Sequence, residues 1–170
     1  MNPESAPEWV FAYGSNLHIE DLKSWLGHYG YSTQGIIQVL PAVLEDYELI
    51  WNYYSPVRKG GAANVRPAQN KRVLGAIIEI TAQTLPGIDK KEGHPTHYCR
   101  GEKRVRIQTL DGKMSYLGWV YEVQPAHRTP DPTPPTQAYL DIMLDGIRQV
   151  GLDPSWSQHV LEQLPKSTRV

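Results

Sequence analysis

Two short segments of the chain contain side chains that could carry out acid/base chemistry. In the first, Asp89–Tyr98, Glu92 precedes a glycine and is followed by two histidines and a tyrosine. A glutamate held in a partly apolar cleft can have its pKa raised toward neutrality, as a general base near pH 7 requires. Asp89 would share a helix face with Glu92, and the two carboxylates could raise each other's pKa. An exposed, charged helix end fits the same residues.

The second segment is Phe11–Leu17, in which Gly14 makes a turn between an apolar run and an expected helix. Backbone N–H groups at such a turn have no partner within the helix, so they attract a carboxylate, a phosphate or an oxyanion. The same pattern is typical of a simple helix start, with Ser15 or Asn16 as the capping residue.

Three other features fit a functional site less well. His94 and His97 are three apart, but Pro95 precludes a regular helix between them and no third ligand is spaced nearby, so we expect no metal. Cys99 is the only cysteine, and we interpret it as a small buried residue. The run Gly60–Ala63 lacks the lysine of a phosphate loop, and its small residues should allow close backbone approach.

The composition indicates the kind of partner. With 170 residues, 40% of them hydrophobic and 21% charged, the chain is predicted to form one domain, residues 1–170. A net charge of -1 gives no long-range attraction for a polyanion or an acidic membrane, so we expect a small-molecule partner, no nucleic acid and no membrane. The N-terminus has neither a basic start nor an apolar run, and the default expectation is a cytoplasmic location.

The basic stretch Arg100–Arg106 is the feature that could contact nucleic acid. On a strand, Arg100, Arg104 and Arg106 would fall on one face, without the interleaved aromatic residues of a stacking platform. We interpret this stretch as a solvated strand face.

The elements that must position these residues are predicted to be short strands and helices. The apolar runs 9–13, 34–40, 43–53 and 73–80 predict strands, with 73–80 central because of its dense β-branched and aliphatic content. A helix from Thr81 or Thr84 should reach Glu92 and end at Gly93. Asp111-Gly112 predicts a hairpin. The remaining predicted elements are helices over 18–26, 136–150 and 154–164, a short strand over 62–65, hairpin strands over 99–110 and 114–123, and an extended connector over 125–135.

Taken in order, these segments resemble the γ-glutamylcyclotransferase superfamily. The resemblance runs from about Phe11 to Pro154 and rests on FAYGSNL, GGAAN, VLGAIIEI, IDKKEGHPTHYCR and PPTQAYLDIMLDGIRQVGLDP. It implies an α+β fold in which a small closed mixed β-sheet, a barrel, has helices packed outside. The implied core covers about 9–154, and a C-terminal helix follows over about 154–164.

The resemblance also implies a reaction and a set of site residues. A γ-glutamyl substrate would cyclise to 5-oxoproline and release a free amine, with Glu92 as the acid/base catalyst and no cofactor. Residues implied in substrate binding are Tyr13, Gly14, Ser15, Asn16, Leu17, Tyr98 and Tyr139. The segment EGHPTHY resembles members that act on γ-glutamyl amines or γ-glutamyl-protected biosynthetic intermediates. A non-catalytic binder of the same fold is the alternative, and either a monomer or a homodimer is compatible.

Overall fold

A five-stranded antiparallel sheet forms the centre of the fold in a computed structural model that describes residues 6–166. The strands in chain order are β1 (Glu8–Ala12), β2 (Ile36–Ile50), β3 (Tyr54–Ser55), β4 (Gly60–Gly61), β5 (Asn64–Ile80), β6 (Tyr98–Cys99), β7 (Val105–Thr109), β8 (Ser115–Gly118) and β9 (Glu122–Val123). The main sheet has the order β1-β5-β2-β7-β8, while β3 pairs with β4 and β6 with β9. The sheet and its helices make an α+β fold, as predicted.

Four α-helices lie between or after these strands. They are α1 (Ile19–His28), α2 (Leu85–Glu92), α3 (Gln137–Val150) and α4 (Pro154–Glu162). Both α2 and α3 end at glycines in the left-handed region, Gly93 with φ 66° and Gly151 with φ 83°, as the sequence predicted. No helix within residues 6–166 is long and apolar enough to cross a membrane.

The predicted central strand is confirmed. In β5, Ile77 pairs with Phe11 of β1 on one side and with Leu40 of β2 on the other. Both edges of this stretch are paired, and its aliphatic side chains, which project to both faces of the sheet, are removed from water, since Ile77, Ile78 and Ile80 are fully buried.

The prediction of two strands separated at Pro41 is wrong, because β2 runs unbroken from Ile36 to Ile50. The carbonyl oxygen of Pro41 accepts a hydrogen bond from the N–H of Leu110, which follows β7. The N and C=O of one residue in an antiparallel strand point to the same side. The proline's missing N–H therefore lies toward β7, which pairs with β2 only at Ala42 and Val43, and the long ladder with β5 is not interrupted.

The main sheet is less fully closed than the resemblance implied. Its two outer strands, β1 and β8, meet through one parallel bridge between Val10 and Trp119. Here the N–H of Phe11 donates to Trp119 O at 2.9 Å, and the N–H of Trp119 donates to Trp9 O at 2.8 Å. Because β8 ends at Gly118, no longer ladder forms at this junction, which we call the seam.

The predicted hairpin around Asp111-Gly112 is confirmed in its inner part, where β7 pairs with β8. Its outer part pairs separately as β6 and β9. The break begins at Gly101, whose φ of 67° is incompatible with an extended strand.

The proline-rich connector over 125–135 packs against the β3–β4 region. The N–H groups of Thr129 and Thr133 donate to the carbonyl oxygens of Asn52 and Trp51, both at 2.7 Å, and Gly61 N–H donates to Pro134 O at 2.8 Å. A Cβ at Gly61 would overlap the carbonyl oxygen of Thr133. The expected close backbone approach in the Gly60–Ala63 run is therefore confirmed.

Gly75 provides a test of how tightly the strand that leads to residue 13 is packed. A Cβ at Gly75 would overlap the carbonyl oxygen of Ala12 and would lie 2.8 Å from Cζ of Phe11. We expect Gly75→Ala to lower the free energy of unfolding by about 1–3 kcal/mol in urea denaturation, because β1 must move away from β5. The matched control is Gly27→Ala in α1, where the added Cβ would make an ordinary 3.4 Å contact with Thr33 Cγ2. Equal stability of the two variants would contradict this account.

Candidate active site

One cavity of about 790 Å³ gathers most of the residues that the sequence singled out. Its walls come from the turn after β1, one face of α1, the loop between β3 and β4, the end of α2, and α3. A volume in this range is typical of small-molecule sites. The predicted residues within the lining are Tyr13, Gly14, Ser15, Asn16, Glu92, Tyr98 and Tyr139.

The turn after β1 contains backbone donors that have no partner among residues 6–166. Residues Ser15–Leu17 form one turn of 3₁₀ helix, in which Leu17 N–H donates to Gly14 O at 3.1 Å. Within residues 6–166, no backbone or side-chain acceptor lies in hydrogen-bonding geometry to the N–H of Gly14 or Asn16. Donors at a turn that precedes a helix suit an anionic or developing negative oxygen.

The interpretation of Ser15 or Asn16 as the helix cap is wrong. His18 caps α1, since its Nδ1 accepts a hydrogen bond from Asp21 N–H at 3.1 Å. The side chain of Asn16 instead donates from Nδ2 to Glu92 Oε1 at 2.8 Å. The turn and the end of α2, which are 76 residues apart in sequence, are thus joined directly at the cavity wall.

Glu92 is the last residue of α2, and its carboxylate lies in a largely dehydrated position. Burial raises the pKa of Glu92 above its usual range, while Lys91, the hydrogen bond from Asn16 and Arg58 act in the opposite direction. Its second oxygen, Oε2, accepts no hydrogen bond from residues 6–166. A carboxyl group with a raised pKa and one oxygen free of protein donors can exchange a proton with a bound ligand.

Asp89 has a different role from the one considered for it. Its carboxylate accepts hydrogen bonds from Arg100 Nε at 2.9 Å and Nη2 at 3.2 Å, and from the Tyr121 hydroxyl at 2.6 Å. The idea that Asp89 raises the pKa of Glu92 is therefore not supported, because burial is the dominant cause and Asp89 is already paired. Asp89 anchors the end of α2 to the strands around Tyr121.

Tyrosine hydroxyls make up much of the polar lining. The Tyr98 hydroxyl donates to Ala63 O at 2.7 Å, and Ala63 N–H donates to the Tyr139 hydroxyl at 3.1 Å, so two phenols hold the backbone of one residue. The Tyr13 hydroxyl donates to Tyr121 O at 2.6 Å. Burial raises the pKa of Tyr13 and Tyr98 well above the usual value and that of Tyr139 to about 12. These phenols are neutral at physiological pH.

Leu17 is the predicted binding residue that the structure places elsewhere. Its side chain is fully buried in the core and does not line the cavity. The position that a Cβ on Gly146 of α3 would occupy is 2.7 Å from Leu17 Cβ, so Leu17 packs tightly against that helix. Leu17 thus fixes the turn from behind.

Several lining residues were missed by the sequence analysis. They are Asp21, Trp25, Tyr53, Arg58, Lys91 and Tyr121. Lys91 directly precedes Glu92, and this adjacency was the available signal. Arg58 lies on the loop between β3 and β4, where its Nη2 lies 3.4 Å from Asp21 Oδ2, and no local pattern indicates that this loop returns to the site.

The histidines after Glu92 contact protein groups. His94 Nδ1 accepts a hydrogen bond from Arg100 N–H at 3.3 Å, and His97 Nδ1 shares a 3.0 Å hydrogen bond with the Tyr53 hydroxyl. In the part of the chain that the structure describes, no three His, Cys, Asp or Glu side chains form a group that could hold a metal ion. Cys99 is half-buried and lies outside the cavity lining.

The basic stretch over 100–106 is largely engaged by other side chains. Arg104 pairs with Glu8 at 3.0 Å, and the guanidinium groups of Arg100 and Arg104 lie over the Trp119 ring, 4.3 and 4.6 Å from its centroid. With Arg100 also bound to Asp89, these arginines reinforce the seam.

Comparisons with known proteins agree with this architecture. A family model described as "Gamma-glutamyl cyclotransferase, AIG2-like" matches residues 10–141. A solved structure described as a gamma-glutamyl cyclotransferase is similar to the chain at 20% identity, with 97% of this chain and 92% of that chain covered and a TM-score of 0.77. No curated protein matches the chain.

Two further solved structures show the same fold. The human uncharacterized protein loc79017 aligns with a TM-score of 0.76 at 21% identity, with 96% of this chain and 91% of that chain covered. A yeast gamma-glutamyl cyclotransferase specific to glutathione aligns with a TM-score of 0.58 at 12% identity, with 94% of this chain and 97% of that chain covered.

Gly14 provides a test of the packing of this turn. A Cβ at Gly14 would lie 2.7 Å from the Tyr139 hydroxyl oxygen, which is itself held by Ala63 N–H. We expect Gly14→Ala to lower the free energy of unfolding by about 1–3 kcal/mol. In a Tyr139→Phe background the same change should cost less, because the overlapping oxygen is gone. A double-mutant cycle measured by urea denaturation gives the coupling, and additivity of the two changes would contradict this contact.

Proposed function

Because the chain belongs to the gamma-glutamyl cyclotransferase, AIG2-like family, we propose that it cyclises γ-glutamyl amides to 5-oxoproline and a free amine. The observation that carries the proposal is the pairing of Glu92 with the Gly14–Asn16 turn at one wall of the cavity. One wall thereby holds a proton acceptor beside backbone donors. A cyclisation of this kind needs both.

The reaction requires no external nucleophile. The α-amine of the substrate attacks its own γ-carbonyl carbon, which closes a five-membered ring, and the bond to the leaving nitrogen then breaks. Intramolecular attack in a well-held geometry can reach effective molarities of about 10⁵ to 10⁸ M. Positioning of the γ-glutamyl group thus contributes much of the rate.

Glu92 handles the protons in this proposal. The α-amine arrives as an ammonium group, so the Glu92 carboxylate first accepts a proton and frees the nitrogen lone pair. After attack, the same carboxyl group donates that proton to the leaving nitrogen, and the bond from the γ-carbonyl carbon to this nitrogen breaks. The ring nitrogen still carries a second proton from the original ammonium group, which the Glu92 carboxylate accepts and passes to the released amine, so that the amine leaves as an ammonium group and the lactam is neutral. The raised pKa of Glu92 suits these steps, because it brings the carboxyl group closer to the working pH than an ordinary glutamate and so helps it both to accept and to release a proton.

The turn supplies the complementary donors. The N–H groups of Gly14 and Asn16 would bind either the α-carboxylate of the substrate or the oxygen that becomes negative as the tetrahedral intermediate forms. The neutral phenols of Tyr98 and Tyr139 keep the opposite wall in place through Ala63, without adding a negative charge near Glu92.

The leaving group would occupy the outer part of the cavity. A γ-glutamyl group fills only a small fraction of about 790 Å³, so a sizeable amine can be accommodated. The outer wall includes Trp25 of α1 and Tyr29, which follows this helix, and their rings pack with centroids 4.3 Å apart to form an apolar surface. These features favour a γ-glutamyl amine or a γ-glutamyl-protected biosynthetic intermediate as the substrate.

A substrate panel tests the proposed activity. The purified chain is incubated with γ-glutamyl amides whose leaving amines differ in size, charge and aromatic content, and released 5-oxoproline is quantified. We expect turnover with at least one member. Ligand binding without turnover across the panel would instead favour a non-catalytic binder of the same fold.

Replacement of Glu92 isolates proton transfer. Glu92→Gln keeps the size and a carbonyl acceptor for Asn16, so the variant should still bind a γ-glutamyl ligand but lose at least about 10² in turnover. In the wild type, kcat/KM should fall as the pH drops through the raised pKa of Glu92, and residual activity of Glu92→Gln should lack this acidic limb. Near-normal 5-oxoproline release by the variant would refute the mechanism.

Asp89→Asn is a matched control for Glu92→Gln, and the two variants should differ in thermal stability. Because the folded-state pKa of Glu92 is raised, the folded protein binds this proton more tightly than the unfolded chain, and the contribution of Glu92 to stability decreases as the pH rises. Glu92→Gln should therefore unfold at an equal or higher temperature than the wild type at pH 8. Asp89→Asn should do the reverse, with appreciable activity and a lower unfolding temperature, because it weakens the pair with Arg100.

The scheme uses no metal. His94 and His97 each direct Nδ1 to a protein group, so we expect kcat/KM to be unchanged after incubation with EDTA and removal of the chelator. A loss of activity that zinc or manganese restores would show that the two histidines take part in a metal site.

A further inference from the structure

The side chain of Asn16 is hydrogen-bonded at both ends. Lys91 Nζ donates to Asn16 Oδ1 at 2.6 Å, and Asn16 Nδ2 donates to Glu92 Oε1 at 2.8 Å. A lysine ammonium group has only donors, whereas an asparagine amide has a donor end and an acceptor end. Lys91 therefore fixes which end of the amide faces Glu92, and that end is the NH₂ group.

The orientation of this amide determines which form of Glu92 is favoured. A donor that points at a carboxyl group stabilises the ionised form, whereas an acceptor in the same place stabilises the protonated form. If the Asn16 amide were turned over, its oxygen would meet Glu92 and select the neutral acid. The contact with Lys91 opposes that rotation because the NH₂ group would then face an ammonium group.

Lys91 is placed for this role by α2. The preceding Lys90 is exposed, with its Nζ over the Tyr29 ring at 4.8 Å from the centroid, whereas Lys91 is turned inward and is partly buried. Burial lowers the pKa of Lys91, and the nearby Glu92 and Asp21 oppose that shift. A buried ammonium group is unfavourable unless it has a partner. Lys91 therefore needs an acceptor, and Asn16 Oδ1 provides it.

We propose that Lys91 is a positioning residue that fixes the orientation of the Asn16 amide, so that Glu92 is ionised when the substrate binds. This inference rests on the proposed function and extends it by one residue. In this role Lys91 need not contact the reacting atoms. It acts through Asn16 and through its own positive charge.

Other ionisable groups face the same carboxylate and must be held constant in a test. From the β3–β4 loop, Arg58 lowers the pKa of Glu92 and also that of Lys91. Neutral phenols surround Glu92 from the strands and α3, and they are Tyr13, Tyr53, Tyr98, Tyr121 and Tyr139. The test therefore changes Lys91 and Asn16 alone.

The decisive measurement is the pH profile of kcat/KM for Lys91→Met. Loss of the ammonium group should make Glu92 harder to ionise, so the acidic limb should move to higher pH. On the acidic side kcat/KM should fall by about tenfold more than at the alkaline plateau, which is the size expected for weakening a hydrogen bond to a charged group. A uniform fall with an unmoved limb would reduce Lys91 to a structural role and overturn the proposal.

Three further variants test the same role of Lys91, also in the case that Lys91→Met does not fold. Lys91→Arg retains the donors and the charge, so its limb should stay near the wild-type position. Asn16→Ala removes the link and should move the limb in the same direction as Lys91→Met, and Lys91→Met should add less in that background. Lys103→Met, an exposed charge change of the same type, should leave the profile unchanged. A limb moved equally by Lys103→Met and Lys91→Met would overturn the proposal.

These outcomes are distinguishable from a failure of the proposed function. If the wild type releases no 5-oxoproline, or if Glu92→Gln retains its activity, the function itself fails. If the wild type turns over and Glu92→Gln does not, an unmoved limb in Lys91→Met rejects only the role of Lys91.

Discussion

The hydrogen bond from Asn16 to Glu92 is the contact on which the site depends. It joins the first turn of the chain to the end of α2, so the strand, the turn and the helix must all be in place before the carboxylate has a partner. A buried carboxylate without a donor would be strongly unfavourable. The hydrogen bond between Asn16 and Glu92 can therefore form only when the fold is complete. Tight packing at Gly14 and Gly75 keeps the turn within reach of Glu92.

The cavity wall combines burial with neutrality. Its tyrosines supply hydroxyl groups that bind backbone oxygen or nitrogen atoms, and burial keeps these hydroxyls protonated. Neutral donors can be placed next to Glu92 without repelling its carboxylate, whereas additional carboxylates would drive its pKa higher still. Asp89 illustrates the alternative, because its charge is matched by Arg100 and the Tyr121 hydroxyl away from the cavity.

Local patterns in the sequence predicted the elements that are determined by local physics. The aliphatic run 73–80, the glycine ends at Gly93 and Gly151, and the Asp111-Gly112 turn all follow from burial or from backbone conformation within a few residues. The resemblance placed Glu92 beside the turn. Arg58 and Tyr53 could not be predicted as lining residues, because their positions depend on how the β3–β4 hairpin folds back over the sheet.

Two errors in the sequence analysis arose where the surroundings of a residue, rather than its usual preference, determined the structure. Asn16 resembles a helix cap, but His18 satisfies that helix and Asn16 is left to contact Glu92. Pro41 resembles a strand end. Its missing N–H, however, lies on the side of β2 that faces β7, where only Ala42 and Val43 are paired, so the strand continues. In both cases the outcome was decided by the chain around the residue rather than by its own preference.

The seam at Trp119 implies an uneven distribution of stability within the sheet. Two backbone hydrogen bonds close it, whereas β2 and β5 share a long ladder, so local opening at the seam breaks far fewer bonds than separation of β2 from β5. Phe11 lies at the seam, two residues before Tyr13, and the strand that opens is therefore the one that leads directly into the Gly14–Asn16 turn. Arg100 and Arg104, which lie over the Trp119 ring, thus stabilise the closed seam. Local opening at this outer surface would be transmitted to the cavity through a few residues of β1.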